Sequence, residues 1–171
     1  MTVKVIVYMH ISVNGMIARL DNSGFSSKKA KAGFLDMINK VQVNIVGRKT
    51  FEIASRKGGF PLKGLNIVMT THAIKNTWGN NVIITDKAPL EVLKIVKEHG
   101  YRKAMVGGGV TAANFIREGL VDELFLDVEP VIIGSGIPVF SNKQFENKLK
   151  LLDIKKTSRN EIRLHYKVLR T

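Results

Sequence analysis

Residues 103–129 read KAMVGGGVTAANFIREGLVDELFLDVE, which by residue type is a short strand, a triple-glycine turn, a helix and a second strand. Gly107, Gly108 and Gly109 lack a Cβ, so the backbone there can take positive φ and approach a ligand closely. The amides that open the following helix then point outward at an anion. Thr111, in the first helical turn, adds a hydroxyl able to bind phosphate. A second turn of the same kind occurs at Val46-Gly47-Arg48-Lys49-Thr50. Neither turn has the spacing Gly-x-Gly-x-x-Gly or that of the lysine-bearing phosphate loop, so those two motifs are excluded. The pair predicts a cradle for the phosphates of a nucleotide cofactor.

Outward from this stretch, strands are predicted at 3–9, 42–46, 65–70, 82–85, 103–106, 122–130, 148–157 and 161–169, each rich in Val, Ile and Leu or in alternating apolar positions. Ser26 and Ser27 can cap a helix reaching Asn39, with Ala30, Phe34, Leu35 and Ile38 on one face. Pro89 opens a helix over 89–98, and a third runs from Thr111 to Arg117. The alternation of strands and helices predicts an α/β fold with a central, mostly parallel, twisted sheet. The last two strands, with no helix between them, predict a C-terminal antiparallel hairpin around Ser158-Arg159-Asn160. Ligands of such sheets bind beyond the carboxyl ends of the parallel strands, where both glycine turns fall.

Composition bounds the partners. The chain of 171 residues is the size of one domain and is read as such over 1–171. No apolar run approaches the ~20 residues of a membrane span, and the N-terminus reads as a first strand with no cleavage signal. A cytoplasmic protein is expected. The absence of cysteine excludes disulfides, thiolate catalysis and sulfur-ligated zinc, and no metal site is expected. The excess of 27 Lys and Arg over 14 Asp and Glu, net +13, raises a non-catalytic nucleotide or nucleic-acid binder as a rival reading. The basic residues are spread along the chain, with concentrations at 28–31 and 148–159 but no basic stripe interleaved with aromatics. A polyanionic cofactor fits that field equally well. Arg48 and Lys49 suit the additional phosphate of NADP, and no acidic residue ends strand 65–70 to grip a ribose hydroxyl; Thr70, Thr71 and His72 follow it.

Four motifs carry a resemblance to a known family. They are Ser12-Val13-Asn14-Gly15-Met16-Ile17-Ala18, Gly47-Arg48-Lys49-Thr50-Phe51-Glu52, Gly107-Gly108-Gly109, and the pair Gly119-Leu120-Val121-Asp122-Glu123-Leu124 and Pro130-Val131-Ile132-Ile133-Gly134-Ser135-Gly136-Ile137-Pro138-Val139-Phe140. Over nearly its whole length the chain resembles the dihydrofolate reductase-like superfamily. The last motif is most similar to the reductase domain of the riboflavin-biosynthesis deaminase-reductase, whereas Gly47 to Glu52 looks like the folate enzymes. The resemblance implies a three-layer dihydrofolate reductase-like fold and NADPH as cofactor. It places Gly47, Arg48, Lys49 and Thr50 on one phosphate region and Thr70, Thr71 and His72 near the adenosine. Gly107, Gly108, Gly109, Val110 and Thr111 would hold the pyrophosphate, and Ala18 would border the nicotinamide.

The substrate side departs from both relatives. Asn14 and Val106 stand where riboflavin reductases carry Asp and Glu, and the folate enzymes' carboxylate would fall near Lys31, with Asp36 as a possible substitute. Asn14, Asp36 and Asp127 are the candidates for the polar, catalytic shell. Asp127 is set by its alternation with Leu126 and Val128 to face a cleft or solvent; His10, at the end of the first strand, can point either way, and a lone histidine there is more often structural. The expected activity is reduction of 5-amino-6-(5-phosphoribosylamino)uracil or its 2,5-diamino counterpart. A dihydrofolate or other pterin reductase is the alternative. The substrate is thus a heterocyclic, phosphorylated small molecule. Exposed sheet edges and the run Pro130 to Ile133 predict a homodimer.

Overall fold

The computed structural model describes residues 2–140 and 144–169. At its centre β1 (Lys4–Ser12) lies between two parallel neighbours, β6 (Lys103–Gly107) and β7 (Glu123–Glu129). Past β6 the parallel arrangement continues through β3 (Val43–Gly47), β4 (Leu65–Met69) and β5 (Val82–Thr85). Past β7 it turns antiparallel, with β10 (Ile162–Val168) and then β9 (Leu149–Lys156) at the edge. The eight-stranded order is β5-β4-β3-β6-β1-β7-β10-β9. The mostly parallel sheet and its C-terminal antiparallel pair are those the sequence predicts.

Strand alternation builds the layers. Val5, Val7, Met9 and Ile11 of β1 join a core that includes Val92 and Val96 of α3 (Pro89–Glu98) and Ala112, Phe115 and Ile116 of α4 (Gly109–Arg117). Ile6 and Tyr8, one residue out of phase, pack with Ile38 and Val41 of α1 (Lys28–Val41). On that second face Val46 and Val68 meet Phe51 of α2 (Arg48–Arg56), which completes the three layers. The Ser27 hydroxyl accepts the Ala30 amide at 3.0 Å and so caps α1 at the predicted place.

A second sheet has no counterpart among the predicted strands. β2 (Met16–Arg19) pairs antiparallel with β8 (Gly136–Pro138), a segment that reads in sequence as a turn ahead of a proline. With four and three residues, these strands are too short for alternation to register. They pair because Gly136 lets the backbones close: a Cβ there would lie 2.6 Å from the Ala18 carbonyl. The Asn14 side chain also clasps the two segments, donating to the Ile133 carbonyl at 2.7 Å and accepting the Ile133 amide at 3.1 Å.

Candidate functional site

The two glycine turns meet at the carboxyl rim because β3 and β6 are neighbours, with Val46 opposite Gly107. α2 starts directly after Gly47 and α4 directly after Gly108, and neither N-cap makes a side-chain hydrogen bond. In contrast to α1, their first-turn amides have no capping hydroxyl and remain available to an anion. The turns also interlock. A Cβ at Gly108, whose φ is +87°, would lie 2.6 Å from the Thr50 hydroxyl, and a Cβ at Gly47 would lie 2.6 Å from the Thr111 hydroxyl. Each threonine therefore crosses to the opposite glycine, and the four positions form one cradle. At Gly109 the limit is β8, since a Cβ would come within 3.0 Å of the Pro138 carbonyl. This donor set, two helix N-termini plus two hydroxyls side by side, fits a pyrophosphate.

Beside the cradle opens a cleft of about 380 Å³. Ile17, Ala18, Thr50, Gly107 and Gly108 form its rim-side wall, which brings the residue predicted for the nicotinamide next to those predicted for the phosphates. Arg48 and Lys49 lie outside it and line a contiguous cleft of about 420 Å³ with Arg56 and Lys57 of the α2 end. Arg48 is paired there with Glu52 at 2.9 Å. Thr70, Thr71 and His72 follow β4 on the surface, with the Thr70 hydroxyl accepting the His72 amide at 3.0 Å. Val110 is exposed, and Thr111 is buried.

The remaining lining of the cleft is part apolar and part polar. Phe34, Ile53, Phe60 and Leu62 make the apolar wall; Tyr8, His10, Ser26 and Asn44 contribute polar atoms. Asn44 is only 4% exposed, yet its Oδ1 has no hydrogen-bond partner among the described residues. An acceptor left unmade in such surroundings suits an N–H donor on a ligand.

Asp127, 3% exposed, lies beneath this wall within a buried ionic cluster. Arg163 of β10 grips it through Nε at 2.6 Å and Nη2 at 2.8 Å, and the Tyr8 hydroxyl donates to Oδ2 at 2.6 Å. Arg163 Nη2 also donates to the Tyr8 oxygen, and its guanidinium has room under α1 because a Cβ on Gly33 would strike it. Burial, together with the bond to Asp127, pushes the Tyr8 phenol above its ordinary range; the same carboxylate holds the Arg163 guanidinium protonated. The His10 imidazole borders the cluster and is shifted down by burial, which outweighs the nearby Asp127 charge. Glu129, at the end of β7, is shifted up by burial although it accepts the Ser27 amide at 3.0 Å.

The three residues predicted for the polar shell do not converge on one point. Asn14 is spent on the loop clasp and Asp36 is exposed on α1; Asp127 supports the cleft from below without lining it. Polar residues that do line it, among them Tyr8, His10, Ser26 and Asn44, were outside that set. For Tyr8 and His10 the signal is the polar run Tyr8, His10, Ser12 at every second position of a strand whose other face is wholly apolar; Ser26 and Asn44, on other segments, carry no such pattern.

Comparison with known proteins agrees with this fold. A family model described as the RibD C-terminal domain matches residues 3–162. The uncharacterized protein YwjB of Bacillus subtilis is 28% identical over 169 residues, covering 95% of this chain and 97% of that protein. The solved diaminohydroxyphosphoribosylaminopyrimidine deaminase/5-amino-6-(5-phosphoribosylamino)uracil reductase of Thermotoga maritima superposes with a TM-score of 0.80 at 15% identity, over 98% of this chain and 57% of that one. The riboflavin biosynthesis reductase of Saccharomyces cerevisiae does so with a TM-score of 0.65 at 15% identity, over 98% of this chain and 90% of that one.

Proposed function

This chain belongs to the RibD C-terminal domain family, and on that premise we propose that residues 1–171 form one NADPH-dependent reductase domain of the riboflavin-biosynthesis type. The substrate is a phosphoribosylamino-pyrimidine, either 5-amino-6-(5-phosphoribosylamino)uracil or its 2,5-diamino counterpart. The observation that carries this reading is the interlocked Gly47–Thr50 and Gly108–Thr111 cradle, which through Thr50 and Gly108 borders the same cleft as Ala18 and Asn44.

In this reading the amides after Gly47 and Gly108, with the Thr50 and Thr111 hydroxyls, hold the pyrophosphate. Arg48 and Lys49 favour a cofactor with an additional phosphate, and Thr70, Thr71 and His72 border its adenosine side. Ala18 and Ile17 form the edge against which the nicotinamide ring is held. When bound, the reduced nicotinamide supplies a hydride to an electrophilic carbon of the substrate. The chain's part is to align the two partners and exclude water. Phe34, Phe60 and Ile53 present an apolar slot to a planar ring, and Asn44 orients it through a hydrogen bond. Lys57, shared by both clefts, and Arg56 lie where a substrate phosphate would leave the slot.

A pterin reductase is the second reading, favoured by the aromatic slot together with Gly47 to Glu52. Purified protein incubated with NADPH and, separately, each pyrimidine and dihydrofolate separates the two. Oxidation of NADPH with a phosphoribosylamino-pyrimidine is expected, and turnover of dihydrofolate alone overturns the assignment. The enzyme is further inferred to act as a cytoplasmic homodimer. No helix among the described residues is long and apolar enough to cross a membrane.

A further inference from the structure

Reduction of a C=N or C=O bond needs a proton as well as a hydride, and none of the predicted carboxylates lines the cleft to give one. The cleft wall holds another arrangement. Ser26 and His10 both line it, and Ser26 Oγ lies 2.8 Å from His10 Nδ1. The other ring nitrogen, Nε2, is buried 3.9 Å from Asp127 Oδ2 and has no hydrogen-bond partner among the described residues. Asp127 cannot swing closer, because Arg163 and Tyr8 hold both of its oxygens. The imidazole is thus suspended between a cleft hydroxyl and a fixed carboxylate.

We propose that Ser26, His10 and Asp127 form the route that delivers the proton consumed in reduction. The inference rests on the reductase reading of the cleft. The starting state has His10 as imidazolium, with its Nε2–H directed at Asp127 and its Nδ1–H shared with Ser26. As the hydride from the reduced nicotinamide forms a C–H bond, the Ser26 O–H bond breaks and a substrate N–H or O–H bond forms. The Nδ1–H bond of His10 breaks at the same time and restores the serine hydroxyl. Its electron pair stays on the ring, which is left neutral. Asp127 carries no proton at any point; it stabilises the imidazolium. After product leaves, His10 takes a proton from water, so one hydride and one proton have been added across one double bond.

The competing groups in the cleft are already committed or wrongly placed. The Tyr8 phenol donates to Asp127 and is held far from its ordinary ionisation range by burial, and Lys57 stands exposed at the mouth. Burial opposes the His10 charge most; Asp127 of β7 and the Ala30 backbone of α1 favour the imidazolium, and Arg163 of β10 and Lys31 of α1 oppose it. An imidazolium so destabilised is a ready donor.

Three measurements test the route. In wild-type protein kcat falls as pH rises through the His10 transition, below 6.5. In His10→Gln, where the amide keeps a polar group near Ser26, kcat falls by roughly 10²–10⁴-fold with KM within a few-fold, and the pH dependence disappears. Ser26→Ala lowers kcat in the same way while retaining the folding transition. Nitrogen-15 NMR of labelled histidine, read without cofactor or substrate, shows His10 titrating below the ordinary range, and lower still in Asp127→Asn. Ser26→Ala is the second NMR variant, in which the ring loses its Nδ1 partner and the nitrogen shifts change. Wild-type turnover with an unchanged His10→Gln profile overturns the route alone, as does a His10 resonance indifferent to both neighbours. A wild type that oxidises NADPH with no pyrimidine or pterin overturns the reductase reading and the route together.

Discussion

Asn44 and Asp127 are both buried polar residues on strands, and they hold opposite positions in the hydrogen-bond account. Asn44 leaves an acceptor unmade inside the sheet, a cost of roughly 1–3 kcal/mol that a ligand N–H would relieve. Asn44→Val is therefore expected to raise the thermal midpoint while raising KM for the pyrimidine at least tenfold, the two effects being read by calorimetry and steady-state kinetics. Asp127 is fully used, and Asp127→Asn leaves the half-buried Arg163 charge without its counter-ion, with an expected loss of roughly 1–3 kcal/mol in denaturant unfolding. His10 links stability to pH. Its folded-state pKa lies below the ordinary 6.5, so the unfolded chain takes up the proton first and stability falls as pH drops through 6.5 toward the folded value. Glu129, shifted up from its ordinary 4.5, has the opposite slope between 4.5 and its folded value. The His10→Gln variant should lose the decline below 6.5, as midpoints measured across that range will show. Alternation along β7 made Asp127 legible in the sequence as a candidate that faces a cleft or solvent. Its true partners were not legible, since Tyr8 lies 119 residues earlier and Arg163 36 residues later.

At the scale of elements, the long strands and the capped helix were written in periodicity, because each buries one full face: β1 alternates between the α3–α4 core and the α1 core without a break. The glycine cradle was legible as two turns; that they interlock was not, because adjacency of β3 and β6 is a property of sheet order. β2 and β8 are not written in the sequence for another reason: they are held by backbone approach at Gly136 and by the Asn14 clasp, neither of which leaves an apolar pattern. The interlock makes Gly108 the element's most sensitive point. Gly108→Ala forces a Cβ toward Thr50 at a φ of +87°, strained by roughly 1–3 kcal/mol, and would displace the α4 amides from a bound anion. Loss of at least tenfold in NADPH affinity, measured by fluorescence titration, is expected with the far-ultraviolet circular dichroism unchanged. Gly119→Ala, at a positive φ but with open space around its Cβ, is the control, expected to cost stability and leave affinity intact.

At the scale of the whole molecule, the sheet ends asymmetrically. β5 closes one side as a short strand, whereas β9 is exposed along all eight residues and presents an unpaired edge. Leu149, Leu151 and Ile154 of β9 face the same way as Ile162 of β10, and these four are 43%, 47%, 57% and 38% exposed. An apolar surface contiguous with a free strand edge is costly in water and is the place where a second copy would pair. The run Pro130 to Ile133 contributes less than its composition promised: Ile133 turns inward, held by the Asn14 clasp, and Val131 is half-buried, which leaves Pro130 and Ile132 exposed. Charge works against association. Two chains of net +13 repel, and Lys148, Lys150, Lys155 and Lys156 lie along the very edge that must meet. The homodimer should accordingly tighten as salt screens that repulsion, the reverse of the behaviour of a nucleic-acid complex, which weakens with salt. Light scattering on the purified protein is expected to give twice the 19.0 kDa chain mass, with the dimer fraction increasing between low and physiological salt. Leu151→Lys combined with Ile154→Lys should give the single-chain mass with little change in the folding transition. A double variant that remains dimeric would move the interface away from β9.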